Sequence, residues 1–291
     1  MFQVLLVNGL ILGGVYALIA LGYSMIYKSS GLLNFAQGDF ITLGAFVGYY
    51  FYSSLKLPFI IAMALTFLVA FLVGMLIEKL VIRILLNKGV IAIYVILATI
   101  AISYIIQNLM QMLFGTVTLR FPPIFSSGTW KLFGVNAQSE AWVSLFVSIG
   151  LMILLHLFSS KTRFGTAMRG AAMDPKAAES CGINTSLTTG VTWGIAAAIA
   201  GLGGILIGPM YGVFTMLGAN IGGKGFGGAV IGGYGNMYGA MMGGMILGLV
   251  ETFVAGYWMG TYKNMIAYIV LLIFLFVKPT GITNEKAIHD V

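Results

Sequence analysis

Apolar residues in this chain come in long runs separated by short polar stretches. A helix needs about 20 mostly apolar residues to cross the hydrocarbon core of a bilayer. On that measure the runs predict spans at 3–27, 38–54, 58–82, 90–114, 142–158, 185–208, 222–236, 238–258 and 263–278. The second and seventh are short and interrupted by glycine, so they read as broken or re-entrant helices and the count is eight or nine. The fold class is an all-α polytopic membrane protein. The first run has no positive segment before it and reads as a retained span, not a cleaved signal. The longest polar stretches, 115–141 and 159–184, leave no room for a soluble domain, so 1–291 reads as a single transmembrane domain. Pro122, Pro123 and Trp130 mark 115–141 as an external loop with an interfacial aromatic.

Charged residues make up 8% of the chain, against about 25% in soluble proteins. Apolar types make up 59%. A globular protein of this size needs a polar shell, which this composition cannot supply. A soluble enzyme, a disordered chain and a nucleic-acid binder are all excluded, and the net charge of +7 is loop charge. The one cysteine, Cys181, allows no intrachain disulfide, and His156 and His289 form no metal-ligand cluster.

Loop charge sets the orientation. If 159–184 is cytoplasmic, Lys28, Lys79, Arg83, Lys88, Lys161, Arg163, Arg169, Lys176, Lys278 and Lys286 lie inside. Lys56, Arg120, Lys131 and Lys263 then lie outside. The excess of cytoplasmic Lys and Arg in membrane proteins favours this choice, with the N-terminus outside and the C-terminus inside.

Forty glycines are concentrated in the spans, with four-residue spacing at Gly9/Gly13, Gly204/Gly208, Gly239/Gly243 and Gly244/Gly248. That spacing places small residues on one helix face and lets backbones pack closely. Residues 222–235 go further, with Gly222, Gly223, Gly225, Gly227, Gly228, Gly232, Gly233 and Gly235. Each glycine costs a helix about 1 kcal/mol relative to alanine, so unwinding is expected there. Residues 29–44, SSGLLNFAQGDFITLG, offer a counterpart with Asn34, Gln37 and Asp39 in apolar surroundings. Paired short, glycine-interrupted segments in two halves of a transporter point to a substrate path. Asn34, Gln37 and Asp39 are therefore expected to approach 222–235, with Phe35 and Phe226 lining a path that has no tight binding pocket.

Four charges fall in or beside spans: Asp39, Glu78, Lys224 and Glu251. A charge at mid-bilayer must find a partner or water. Glu78, beside Lys79 and near Arg83, reads as a solvated span end. Lys224 is expected within salt-bridge reach of Glu251 or Asp39, as a structural brace. Gly218–Lys224 fits the start of a phosphate-binding loop, but Gly225 follows where Ser or Thr is needed and no strand precedes it. ATP hydrolysis by this chain is not expected. Within KTRFGTAMRGAAMDPKAAESCGIN, Asp174 suits a helix N-cap, Pro175 the first position and Gly182 the stop. This predicts a helix of about two turns near 175–181, either resting on lipid headgroups or docking a peripheral partner.

GLLNFAQGDFITLGAF, MRGAAMDPKAAESCGIN and GGKGFGGAVIGGYGNMYGAMMGGMILGLVE, in this order, resemble the branched-chain amino acid ABC transporter permease family. The resemblance implies a type II-like importer permease in a bacterial inner membrane. It implies a second homologous permease, as homodimer or heterodimer, two cytoplasmic ATPases holding ATP and magnesium, and a periplasmic solute-binding protein. This chain itself would bind no cofactor. The loop 159–184 is similar to the one carrying the coupling helix in such importers, with Arg169, Asp174, Lys176, Glu179 and Gly182 facing the ATPase. Asp39 stands where Glu is common in the family, and Gly225-Phe226-Gly227-Gly228 replaces a bulkier stretch. Urea, short amides or other small organic acids are the alternative cargo. A stand-alone channel or ion-coupled carrier using Asp39 and Glu251 is the alternative class.

Overall fold

The computed structural model describes residues 1–125, 128–132, 134–258 and 260–283; Lys286 and His289 lie outside these. Among the described residues six helices are long and apolar enough to cross a membrane: Phe2–Ser30, Phe59–Asn87, Ala92–Phe114, Ser139–Lys161, Thr185–Tyr211 and Met237–Tyr257. In chain order, α1 is Phe2–Ser30, α2 Asp39–Tyr49, α3 Phe59–Ile77, α4 Arg83–Asn87, α5 Ala92–Phe114 and α6 Ser139–Lys161. They are followed by α7 Arg163–Met173, α8 Pro175–Ser180, α9 Thr185–Tyr211, α10 Leu217–Gly232, α11 Met237–Tyr257 and α12 Lys263–Val277. A π turn at Glu78–Ile82 joins α3 and α4 into one rod, and another, at Tyr50–Ser54, extends α2.

The bundle is built around α9 and α1, whose most apolar windows are 94% and 72% buried. Helix α1 packs on α11, α9, α10 and α6, while α2 and α3 pack on the other side of α9. Helices α3, α5 and α12 form the periphery. On α3 the exposed residues include Ile60, Leu68, Leu72 and Leu76, which share one stripe at multiples of four residues. An exposed apolar stripe is a liability in water and is the lipid-facing surface in a bilayer. The inner contacts are made by small residues: a Cβ on Gly44 of α2 would run into the backbone of Gly201 in α9. Gly44→Leu is therefore expected to abolish the folded, detergent-stable protein, measured as the monodisperse fraction on size exclusion.

Three expectations need correction. The glycine-rich segment at 222–236 is unwound only at its end, where 233–236 form the turn into α11, and α10 is a regular helix through Gly232. Its glycines are contact points, with Gly228 against the Gly243–Gly244 backbone and Gly225 against Ile19. Close packing and the absence of competing water for backbone hydrogen bonds outweigh the low helix propensity of glycine. The break in the first half is real. Gly31 ends α1 in the left-handed conformation (φ 67°), and a short 3-10 turn, Phe35–Gln37, precedes α2. Second, the external stretch 115–141 carries an antiparallel hairpin, Thr129–Leu132 with Val135–Gln138, that an all-α reading missed. Gly134 supplies its left-handed turn residue (φ 78°). Third, Glu78 is not solvated. It is 2% exposed, pairs with Arg83 at 2.5 Å, and the same guanidinium donates to the Ser186 carbonyl at 2.8 Å. The π turn brings positions 78 and 83 onto one face, and the pair clamps α4 to the start of α9.

Helix ends and loops among the described residues sort into two faces. The extension of α2, the 115–141 loop and the end of α9 meet on one: Tyr52 donates to the Pro123 carbonyl, and Leu119 bridges Val213. The other face gathers the end of α1, the α6–α7–α8 turns, the start of α9 and the α10–α11 turn. Lys28, Lys79, Arg83, Lys88, Lys161, Arg163, Arg169, Lys176 and Lys278 belong to that second face.

Candidate functional site

Between the two faces lies a groove of about 340 Å³, bounded by the break before α2, by α5 and by α10. It exists because α2 starts deep in the bundle. After Gly31 the chain turns back, so that Gln37 lies against Gly22 of α1 and donates to the Ala196 carbonyl of α9 at 2.9 Å. Asn34 caps the 3-10 turn, accepting from the Ala36 amide at 3.0 Å. Gly38 rests on Gly218 and Gly222 of α10, where any side chain would collide. Of the three polar residues, Asn34 and Gln37 thus hold the turn in place, and Asp39 lines the groove.

Asp39 is 2% exposed and opens α2, where a carboxylate is favoured by the positive end of the helix dipole. Ser103 donates to one carboxylate oxygen and Gln107 to the other, the latter at 2.9 Å. Among the described residues it has no cationic partner. Ser103 and Gln107 were not singled out in the sequence, although their four-residue spacing on one face of an apolar helix was visible there. At the charged-face end the groove closes on aromatic rings. Phe226 lies 5.9 Å from Phe35, 5.5 Å from Tyr23 and 5.6 Å from Tyr234, centroid to centroid.

Lys224 faces away from the groove. Its ammonium meets Glu251 of α11 at 2.6 Å, and Tyr16 of α1 donates to the other carboxylate oxygen at 2.9 Å. The ammonium also sits 5.6 Å from the centroid of the Tyr16 ring. Of the two acids weighed as partners for Lys224, the structure selects Glu251, and Asp39 takes neutral donors on the opposite side of α10. Tyr16 gave no sequence signal because a lone tyrosine in an apolar run looks like packing. The phosphate-loop fragment Gly218–Lys224 lies inside α10, with no preceding strand.

On the positive face, the stretch after Lys161 is more ordered than its polarity suggested. It forms two helices, α7 and α8, and α7 was missed in the sequence because its glycines and polar residues hide an 11-residue helix. Thr162 caps α7 through the Gly165 amide at 2.9 Å. Asp174 caps α8 through the Ala177 amide at 3.0 Å, with Pro175 at the first position. Gly182 takes the left-handed stop (φ 81°). Arg169 donates to the Ser159 carbonyl, tying α7 to the end of α6. Glu179 accepts from the Thr185 hydroxyl at 2.5 Å, tying α8 to α9. Lys176 is exposed.

A multi-pass helical bundle with a buried polar groove and a helix pair on its positive face has the architecture of a membrane transport component. The family described as branched-chain amino acid transport system / permease component matches residues 5–275, and the chain belongs to that family. The chain is 33% identical to the high-affinity branched-chain amino acid transport system permease protein LivH of Salmonella typhimurium, over 98% of this chain and 96% of that one. The LivH protein of Escherichia coli strain K12 gives the same identity and coverage. The corresponding BraD protein of Pseudomonas aeruginosa is 32% identical over 98% of this chain and 97% of its own. Among solved structures, PsaBC from Streptococcus pneumoniae in complex with Fab shares the fold, with a TM-score of 0.50 and 15% identity over 94% of this chain and 91% of that chain.

Proposed function

We propose that this chain is the permease subunit of an ATP-driven importer for branched-chain amino acids in a bacterial inner membrane. A second homologous permease completes the path, two cytoplasmic ATPases bind ATP and magnesium, and a periplasmic binding protein delivers the solute. Helices α2, α10 and α12 add three crossings to those of the six long helices, which gives nine passes. The observation that carries the reading is the position of Asp39. It is a buried carboxylate with no cationic partner among the described residues, set in a groove that runs between the two faces and ends on aromatic rings. A carboxylate there offers a transient partner to the ammonium of an amino acid, and the ring cluster of Phe35, Tyr23 and Phe226 offers a closure that an aliphatic side chain can slide past. Tyr104 of α5 and Met216 just before α10 line the groove and are exposed, and a second permease would cover them. Helices α7 and α8 present a capped, braced element to the ATPases. The names of the relatives favour amino acids over urea or amides, and a stand-alone carrier would have no use for α8.

The test is reconstitution with the co-purifying subunits in proteoliposomes, measuring uptake of radiolabelled leucine. Uptake should require both ATP and the binding protein. Asp39→Ala should lower it about 10–100-fold, the range for losing a hydrogen bond to a charged group. Uptake driven by an ion gradient through this chain alone would overturn the reading.

A further inference from the structure

A second cavity, of about 200 Å³, opens on the positive face, away from the groove. Its floor is apolar: Leu21 and Met25 of α1, Met168 of α7 and Met241 of α11. Its rim is basic and hydroxylic, with Lys28, Arg169, Ser159 and Ser160, and among the described residues no acidic side chain lines it. His156 and Tyr238 close one wall, joined at 2.6 Å between Nδ1 and the phenol. The depth is set by α1. Leu21 lies seven residues before Lys28, which is about 10 Å at 1.5 Å per residue.

A basic rim at the level where spans end, above an apolar shaft reaching that far into the bilayer, has the polarity profile of a phospholipid. Lys28 forms no ion pair among the described residues, and Arg169 is held at the rim by the Ser159 carbonyl and the Thr166 hydroxyl, at 3.3 Å for the latter. Methionine lines the floor, and its flexible thioether chain adapts to an acyl chain of no fixed shape. Basic pockets between helices on the cytoplasmic side suit anionic headgroups.

We infer that this cavity is a binding site for an anionic phospholipid of the inner leaflet, with its phosphodiester on Lys28 and Arg169 and an acyl chain over Met25 and Met241. The consequence is mechanical. The cavity joins α1, α6 and α11 to α7, and α7 leads directly into α8. A lipid seated there ties the element offered to the ATPases to the body of the bundle, so occupancy tunes how motion of α8 is passed on.

The test is native mass spectrometry of the purified full complex with added phosphatidylglycerol or phosphatidylcholine of identical acyl chains. Phosphatidylglycerol should be retained at lower concentration, and Lys28→Gln should weaken it about fivefold, the effect of one basic residue at a charged lipid surface. Met25→Trp fills the shaft and should remove the same bound lipid even where Lys28→Gln yields little protein. Inorganic phosphate in large excess should leave the lipid in place. Equal retention of the two lipids, retention unchanged by both variants, or displacement by inorganic phosphate alone would overturn the inference, the last assigning the rim to free phosphate.

Discussion

Replacing Lys224 by Met is expected to remove most of the folded protein. The pair it makes with Glu251 is buried, with side chains 10% and 2% exposed. Removing one partner strands a carboxylate in the bundle core, and breaking a buried pair from one side typically costs about 3–5 kcal/mol. The Tyr16 phenol would remain as a donor to Glu251, but a single neutral donor does not neutralise a charge in surroundings where even a lenient insertion scale assigns about 2.5–3.5 kcal/mol to a lone Asp or Lys. Lys224→Met with Glu251→Gln removes both charges and should recover part of the yield, because Gln still accepts from Tyr16. The measurement is the monodisperse fraction and thermal midpoint of the purified protein. Normal folding of Lys224→Met with loss of transport would move this lysine from the brace to the path.

The second large effect lies on the opposite side of the molecule, at α8. In the double variant Glu179→Arg, Gly182→Trp, ATP hydrolysis by the complex should continue while leucine uptake falls to background. Gly182 has no atom within 4 Å of where a Cβ would stand, so a side chain starts from open space there. Its internal cost is the left-handed backbone, about 1–2 kcal/mol for a residue with a side chain, too little to prevent insertion. Glu179→Arg removes the link to Thr185 and inverts the charge offered outward. A surface that only rested on lipid headgroups would tolerate both changes. Uptake at the unmodified rate would show that α8 is not the coupling element.

Much of this was legible from residue order alone, for reasons that differ by element. The long spans were readable because membrane crossing demands a fixed apolar length. The α8 helix was readable because Asp174, Pro175 and Gly182 mark its ends chemically. A brace between Lys224 and an acid follows from the cost of a lone charge, but choosing Glu251 over Asp39 required the geometry of α10, which turns position 224 away from the groove. What failed did so where tertiary contact overrides local preference. Glycine density suggested an unwound α10, while its glycines are the seats of α1, α2 and α11. The partners Ser103, Gln107 and Tyr16 come from helices far away in sequence, and no local signal ties them to Asp39 or Glu251. Glu78 looked solvated until the π turn placed Arg83 beside it and both against α9.

Substrate is proposed to pass through the groove between Asp39 and Phe226, and a blocking label there tests this directly. Exposed Cys181 is first replaced by Ser, and Phe226→Cys then places a single thiol on the groove wall. ATP-driven leucine uptake in proteoliposomes is measured before and after labelling with a bulky maleimide. Phe226→Cys should transport before labelling, labelling should stop uptake, and leucine delivered by the binding protein should slow the labelling. Fully labelled Phe226→Cys that imports leucine at the unlabelled rate would contradict passage through the groove.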